Sequence, residues 1–294
     1  MTSATFTIDG TTFAAPPLPA GLHVVATPIG NLGDITLRAL KTLAAADLVC
    51  AEDTRHTGRL LSHYGITRPL MRYDEHSGER SRPKILDELG QGGAVALVSD
   101  AGTPLLSDPG YRLVEAARSA DLPVHAVPGA SAVVAALSVA GLPTDAFHFA
   151  GFLPQKAGAR RSKVAALRSV EATLVFYEAP HRLAATLEDL SAELGPRRAA
   201  VARELTKKFE TVSLGSLPDL AQEFGEGTKG EIVILVSPPH GPASNLEPAD
   251  ADVLLAEALT RLSPSAAAAE VARASGLARR DLYARAMELK AQRD

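Results

Sequence analysis

The chain has 294 residues, 46% hydrophobic and 22% charged, which excludes wholesale disorder and leaves room for two domains. Its 30 basic and 34 acidic residues give a net charge of −4, which excludes gripping nucleic acid by bulk charge while leaving room for a local basic face. One cysteine excludes a disulfide framework and a thiolate-rich metal site, and no apolar run approaches the roughly 20 residues of a membrane helix.

In chain order, residues 1–20 read as a flexible tail, rich in Thr and closed by Pro16, Pro17 and Pro19. The first basic side chain is Arg38, so a signal peptide's charged start is missing and a cytoplasmic protein without membrane contact is expected. From Leu22, short β-branched runs alternate with amphipathic stretches. Strands are predicted at 23–27, 48–51, 94–98 and 124–127, and helices at 35–46, 54–64, 108–120 and 130–140. Such alternation predicts an α/β domain with parallel pairing over residues 21–144. After Gly141-Leu-Pro-Thr144 the rhythm changes. Strands at 147–152, 173–177, 199–205, 211–214 and 231–236 are interrupted by helices near 159–169, 180–193 and 217–224 only. Consecutive strands without helices imply hairpins, hence a mixed α/β domain over 145–240, ending in the linker 237–242. Residues 241–294 carry no strand pattern. They read as three helices, the last two (263–274 and 279–290) split by Ser275-Gly276, a helix-turn-helix-like extension. There Ala268, Val271 and Ala272 are expected inside and Arg273, Arg279, Arg280 and Arg285 at the surface. A helical cap packed on the body is the equal alternative.

Ligands of open α/β sheets bind beyond the carboxyl ends of the strands. Three such ends carry unusual loops: Thr27-Pro-Ile-Gly-Asn-Leu-Gly-Asp34, Ala51-Glu-Asp-Thr-Arg-His56 and Ser99-Asp-Ala-Gly-Thr-Pro104. Their glycines admit close approach of a ligand to backbone, and their Thr and Asp side chains cap helices or bind polar groups. Neither a dinucleotide fingerprint nor a P-loop is present. Asp100 suits a turn, a cap, or a sulfonium or hydroxyl-bearing ligand. Glu52 and Asp53 form a carboxylate pair, with helix capping the competing role for Asp53 or Thr54. Cys50, in an apolar strand, reads as core, and no His, Cys or carboxylate spacing points to a metal. No acidic residue interrupts 146–170, which contains Lys156, Arg160, Arg161 and Lys163. A charge run is usually a solvated face. In a net-acidic chain it is also where a phosphate backbone would be gripped, and a second basic group (Arg197, Arg198, Arg203, Lys207 and Lys208) adds to that reading.

Val25 to Ala39, Ala51 to Thr57, Val98 to Arg112, Val127 to Ala132, Gly141 to Asp145, Gly151 to Pro154, Phe176 to Arg182 and Ala202 to Lys207, taken in order, resemble the ribosomal RNA small subunit methyltransferase I family. The resemblance spans about Leu22 to Val236, and the helical tail is similar to that family's C-terminal extension. It implies a two-domain tetrapyrrole-methylase-like fold clasping S-adenosyl-L-methionine, commonly as a homodimer. It also implies methylation of a cytidine 2′-hydroxyl in the decoding region of small-subunit (16S) ribosomal RNA. Carried onto this chain, the cofactor site is expected at Pro28, Asp100, Ala101, Gly102, Leu105, Ser131 and Ala132. Phe152, Tyr177, Arg203, Glu204, Gly230 and Glu231 are expected to complete it. Ala130 stands where that family commonly has Pro, and Tyr73-Asp-Glu-His-Ser77 departs from its pattern, so Asp74 and Ser77 receive no catalytic role. Glu52 and Asp53 are the candidate bases, with Arg55 and Lys207 steadying phosphate or oxyanion, and Lys156, Arg160, Arg161 and Lys163 the candidate RNA contacts. Two rival readings remain: a precorrin-type tetrapyrrole methyltransferase, which would need neither the basic segment nor the tail, and a non-catalytic nucleic-acid-binding protein, for which the loops are elaborate.

Overall fold

The computed structural model describes residues 4–74, 77–239, 248–275 and 279–291. The chain forms two units, Met1–Ala136 with Glu204–Thr211, and Leu137–Arg203 with Val212–Asp294.

Where a flexible tail was expected, β1 (Thr5–Ile8) and β2 (Thr11–Ala14) form an antiparallel hairpin. Asp9 and Gly10 both have positive φ, 48° and 79°, the two-residue turn whose twist suits a hairpin. Phe6 stacks on Phe13 at 5.5 Å and is buried among side chains of the first core. The expectation is corrected. An Asp-Gly pair between Thr/Phe-rich runs was the overlooked signal, and burial of Phe6 anchors it.

The first unit continues through β3 (Gly21–Val25), α1 (Leu37–Ala45), β4 (Leu48–Ala51), α2 (Thr54–His63), β5 (Leu70–Arg72), α3 (Gly78–Gly90), β6 (Ala94–Val98), α4 (Tyr111–Ser119) and β7 (Val124–Val127). Its sheet runs β5-β4-β6-β3-β7 with every pair parallel. Central β6 is buried along its whole length, which is why it reads as an unbroken apolar run. Helix α1 starts at Leu37 because the Thr36 side chain accepts from Ala39 N at 3.0 Å. Two elements lay outside the sequence reading: β5 has only three residues, and Pro83 interrupts the helical pattern of α3. Cys50 is buried in β4, its thiol pushed up to about 12 by burial, as a core side chain should be. Helix α5 (Ala132–Val139) spans the boundary between the units.

The second unit holds β8 (Phe147–Phe152), α6 (Ala157–Ala166), β9 (Thr173–Glu178), α7 (Leu183–Leu194), β10 (Arg198–Arg203), β11 (Thr211–Ser216), α8 (Leu217–Glu223) and β12 (Ile232–Val236). Its sheet order is β11-β10-β12-β9-β8. β8 and β9, joined through α6, are parallel, while β12 pairs antiparallel with β9 and β10. In the tail, α9 (Pro248–Ala258), α10 (Pro264–Ser275) and α11 (Arg279–Ala291) bury Leu255, Ala267, Ala268, Val271, Leu282 and Ala286 in a cluster drawn from the tail alone. The expected turn residue Gly276 and the linker residues 240–242 lie outside the described residues. Among the described residues no helix is long and apolar enough to cross a membrane.

Candidate active site

Because the first sheet is parallel, the carboxyl ends of its strands lie on one edge, and the loops that follow them are bonded together there. Thr27 N donates to Gly102 O at 2.9 Å and Gly102 N to Thr27 O at 3.1 Å. Thr27 Oγ1 donates to Ser99 O at 3.3 Å, Thr103 Oγ1 to Ala130 O at 3.1 Å, and Asp53 N to Asp100 Oδ1 at 3.0 Å. The first loop is held further by the Tyr64 hydroxyl, which donates to Leu32 O at 2.7 Å. Thus the loops carrying Pro28, Asp53, Asp100 to Leu105 and Ser131 form one hydrogen-bonded layer.

Two properties of that layer fit a bound ligand. Gly102 has φ +78°, a Cβ there would stand 3.2 Å from Ile29 Cγ2, and Leu105 and Ser107 also hold positive φ, 75° and 67°. Such conformations are stored where the surroundings enforce them. The Ser131 hydroxyl oxygen is buried and has no hydrogen-bond partner among the described residues, an atom left for a ligand to satisfy. Asp108 follows the layer in sequence, and burial raises its carboxyl pKa.

The first unit also recruits the segment 204–211 from beyond β10. Lys207 lies against Gly30, where a Cβ would come within 2.6 Å of Lys207 Cγ, and its Nζ pairs with Glu204 Oε1 at 3.0 Å. Glu204 and Thr206 both have positive φ, 53° and 66°, and the Thr206 Oγ1 is buried without a partner among the described residues. The candidate residue Lys207 is thereby brought to the first loop across more than 170 positions, a placement that no local pattern encodes.

Asp53 is placed as a helix cap. Its Oδ1 caps α2 by accepting from Arg55 N at 2.8 Å, and Arg55 grips both carboxylate oxygens at 3.1 and 2.7 Å. The side-chain and then the backbone hydrogen bonds of Arg55 hold its carboxyl well below the usual carboxylate range, so it is a weak proton acceptor. Glu52 is half-buried beside it, and Arg55 remains exposed.

In the second unit the expected residues share one end of the sheet. Phe152 pairs in register with Tyr177, Tyr177 with Val233, and Arg203 with Ile232, immediately after Gly230 and Glu231. The rings of Phe152 and Tyr177 meet edge-on at 5.6 Å, and Arg203 Nη1 donates to Lys229 O at 3.4 Å. Glu178, buried, accepts from Thr186 Oγ1 at 2.6 Å and Ala179 N at 2.8 Å and faces Arg182 Nε at 3.2 Å. Arg182 Nη2 then donates to Leu153 O at 2.8 Å, fixing the turn beside Phe152. This positioning pair was not among the residues singled out.

Two side chains of the RNA-contact group are engaged within the fold. Arg160 is buried, bonded to Asp189 Oδ2 at 2.7 Å and Gln155 O at 3.2 Å, and Lys163 Nζ donates to Ala150 O at 3.0 Å. Helix α6 turns those two faces inward, leaving Lys156 and Arg161 exposed. Neutralising that pair should therefore flatten the salt dependence of RNA binding by up to about two units of slope. In the tail Arg285 is likewise tied, to Asp252 at 2.6 and 2.7 Å and Glu288 at 2.6 Å, leaving Arg279 and Arg280 exposed. The side chain of Arg273 lies outside the described residues.

The family model described as tetrapyrrole (corrin/porphyrin) methylases matches residues 21–221, and one described as the RsmI C-terminal HTH domain matches 245–290. A ribosomal RNA small subunit methyltransferase I of Mesorhizobium japonicum is 50% identical over 96% of this chain and 97% of the relative. The one from Escherichia coli O157:H7 is 46% identical over 91% and 94%. Among solved structures, a uroporphyrin-III C-methyltransferase from Thermus thermophilus is similar with a TM-score of 0.54 and 26% identity, covering 74% of this chain and 93% of that one. A diphthine synthase shares the fold, with a TM-score of 0.57 at 18% identity over 74% and 89%.

Proposed function

This chain belongs to the ribosomal RNA small subunit methyltransferase I family of tetrapyrrole methylases, and from that premise we propose that it methylates a cytidine 2′-hydroxyl of ribosomal RNA, using S-adenosylmethionine. One contrast carries the reading. The solved porphyrin methylase covers 74% of the chain, while the ribosomal relative covers 96%, helical tail included. The decoding region as target, the assembled small subunit as substrate, the cytoplasm as location and a homodimer belong to the same proposal. Val134 and Val139 are exposed on α5, apolar surface that a second copy would cover.

The chain's residues fit the cofactor: the unpartnered Ser131 hydroxyl and the side-chain-free approach at Gly102 lie in the one bonded layer. When bound, S-adenosylmethionine supplies a methyl group on a sulfonium with a good leaving group. Alignment by the loops is then the main contribution, worth roughly 7–11 kcal/mol at best. The 2′-hydroxyl gives up its proton as its oxygen takes the methyl group from the sulfonium, whose C–S bond breaks, and half-buried Glu52, next to Asp53, is the carboxylate we assign to that proton. A positioned base adds roughly 10²–10⁴-fold. Arg55, exposed, and Lys207, held against Gly30, supply positive charge for phosphate or the developing oxyanion.

Labelled S-adenosylmethionine incubated with small subunits, bare ribosomal RNA and uroporphyrinogen tests the reading. Label is expected in RNA, at a 2′-oxygen; label in the tetrapyrrole alone would overturn it. A sharper check is Ser131→Ala. No protein hydrogen bond is lost, so unfolding should be unchanged, while calorimetry should show cofactor affinity reduced about 2- to 10-fold. Unaltered affinity would remove Ser131 from the cofactor site.

A further inference from the structure

A cavity of about 460 Å³ opens in the first unit where the starts of α3 and α4 meet the end of β5. It lies outside the residues assigned above, and its volume falls in the range of small-ligand sites. One wall carries Asp108, three positions beyond Leu105 of the bonded layer.

Three features of the lining point to an anion and a ring. Arg82 presents a buried Nε with no hydrogen-bond partner among the described residues, an arrangement native interiors avoid unless something supplies the acceptor. Among the described residues Arg112 meets a long, exposed contact, 3.5 Å to Glu79 Oε1, which an incoming anion can displace. Helix α4 opens on Gly110 with no side-chain cap among the described residues, and its first residues, Tyr111 and Arg112, line the cavity beside Gly110. Gly110 cannot easily be otherwise: φ is +135° and a Cβ would stand 2.9 Å from Leu97 Cδ2.

Tyr111, 65% exposed, stands at the rim with its hydroxyl donating to Glu115 Oε1 at 3.3 Å, so its ring is steadied while a face stays open. One carboxylate of the lining is already engaged: Asp74 accepts from Ser77 N at 2.6 Å and pairs with Arg72.

We propose that this cavity is a second RNA subsite, taking one splayed-out nucleotide near the methyl acceptor, its phosphate on Arg82, Arg112 and the first turn of α4 and its base against Tyr111. Sequence-specific RNA recognition commonly works this way, on unstacked bases laid against aromatic rings. The subsite rests on the ribosomal RNA reading above.

The experiment uses the full chain with S-adenosylmethionine and a decoding-region RNA hairpin, intact or with one abasic residue moved through the loop, read by anisotropy. Tyr111→Ala should weaken the intact RNA about 5- to 100-fold. One abasic position should weaken wild type by a similar factor and leave Tyr111→Ala no weaker than before. Arg82→Gln should lower the salt slope by about one unit. Cofactor affinity and the thermal transition serve as folding controls and should stay at wild-type values. Unchanged RNA affinity in both variants, or abasic losses that simply add to that of Tyr111→Ala at every position, would overturn the subsite. Failure of wild type to methylate small subunits would instead bring down the reading on which it rests.

Discussion

Deleting residues 246–294 is expected to cut methylation of small subunits by about 10²–10⁴-fold, the avidity that a second linked binding module contributes, while leaving cofactor binding intact. The tail's apolar cluster is made of its own residues, Leu255, Ala267 and Leu282 among them, and its main ion pairs, Arg285 with Asp252 and Arg261 with Glu270, are internal. A segment that buries its own core can be removed without opening another. Its outer surface suits RNA: Arg279, Tyr283 and Met287 recur every fourth residue along α11, and Arg280 is exposed beside them. A cap would behave differently, its loss lowering stability and solubility. Thermal unfolding, calorimetry with S-adenosylmethionine and methylation of small subunits therefore separate the roles. Full activity of the truncated chain would end the docking assignment.

Arg160→Ala should destabilise the protein by about 3 kcal/mol, the lower part of the range for breaking a buried pair. Arg160 and Asp189 are both buried, their N–O distance is 2.7 Å, and the guanidinium also holds the Gln155 carbonyl. Its loss strands a charge inside, though Arg161 Nε, 3.0 Å from Asp189 Oδ1, still offers partial compensation. Arg161 is itself more than half exposed, so Arg161→Ala should cost less than about 1 kcal/mol. Urea unfolding of the two variants makes the comparison. Equal losses would mean that the buried partner contributes no more than the surface one.

The same pair explains why charge patterns mislead. Lys156, Arg160, Arg161 and Lys163 are equivalent in sequence, yet α6 places 160 and 163 inward and 156 and 161 outward. Asp53 presents a similar case: capping was legible from its place before Thr54, but its ion pair was decided by Arg55 folding back on it.

What the sequence determined by itself was local or repetitive. The buried run of β6, the Thr36 cap, the strand–helix alternation and the loop motifs at successive strand ends each depend on neighbours a few residues away, so periodicity and residue type suffice to read them. Even the Asp9-Gly10 hairpin was legible in principle. Tertiary structure alone decided the rest. Lys207 reaches Gly30, Thr103 reaches Ala130, Asp53 and Asp100 join loops 47 positions apart, and Arg82 is left without an acceptor. Those outcomes follow from strand order and helix rotation, which set distances between residues remote in sequence, and no short-range pattern contains them.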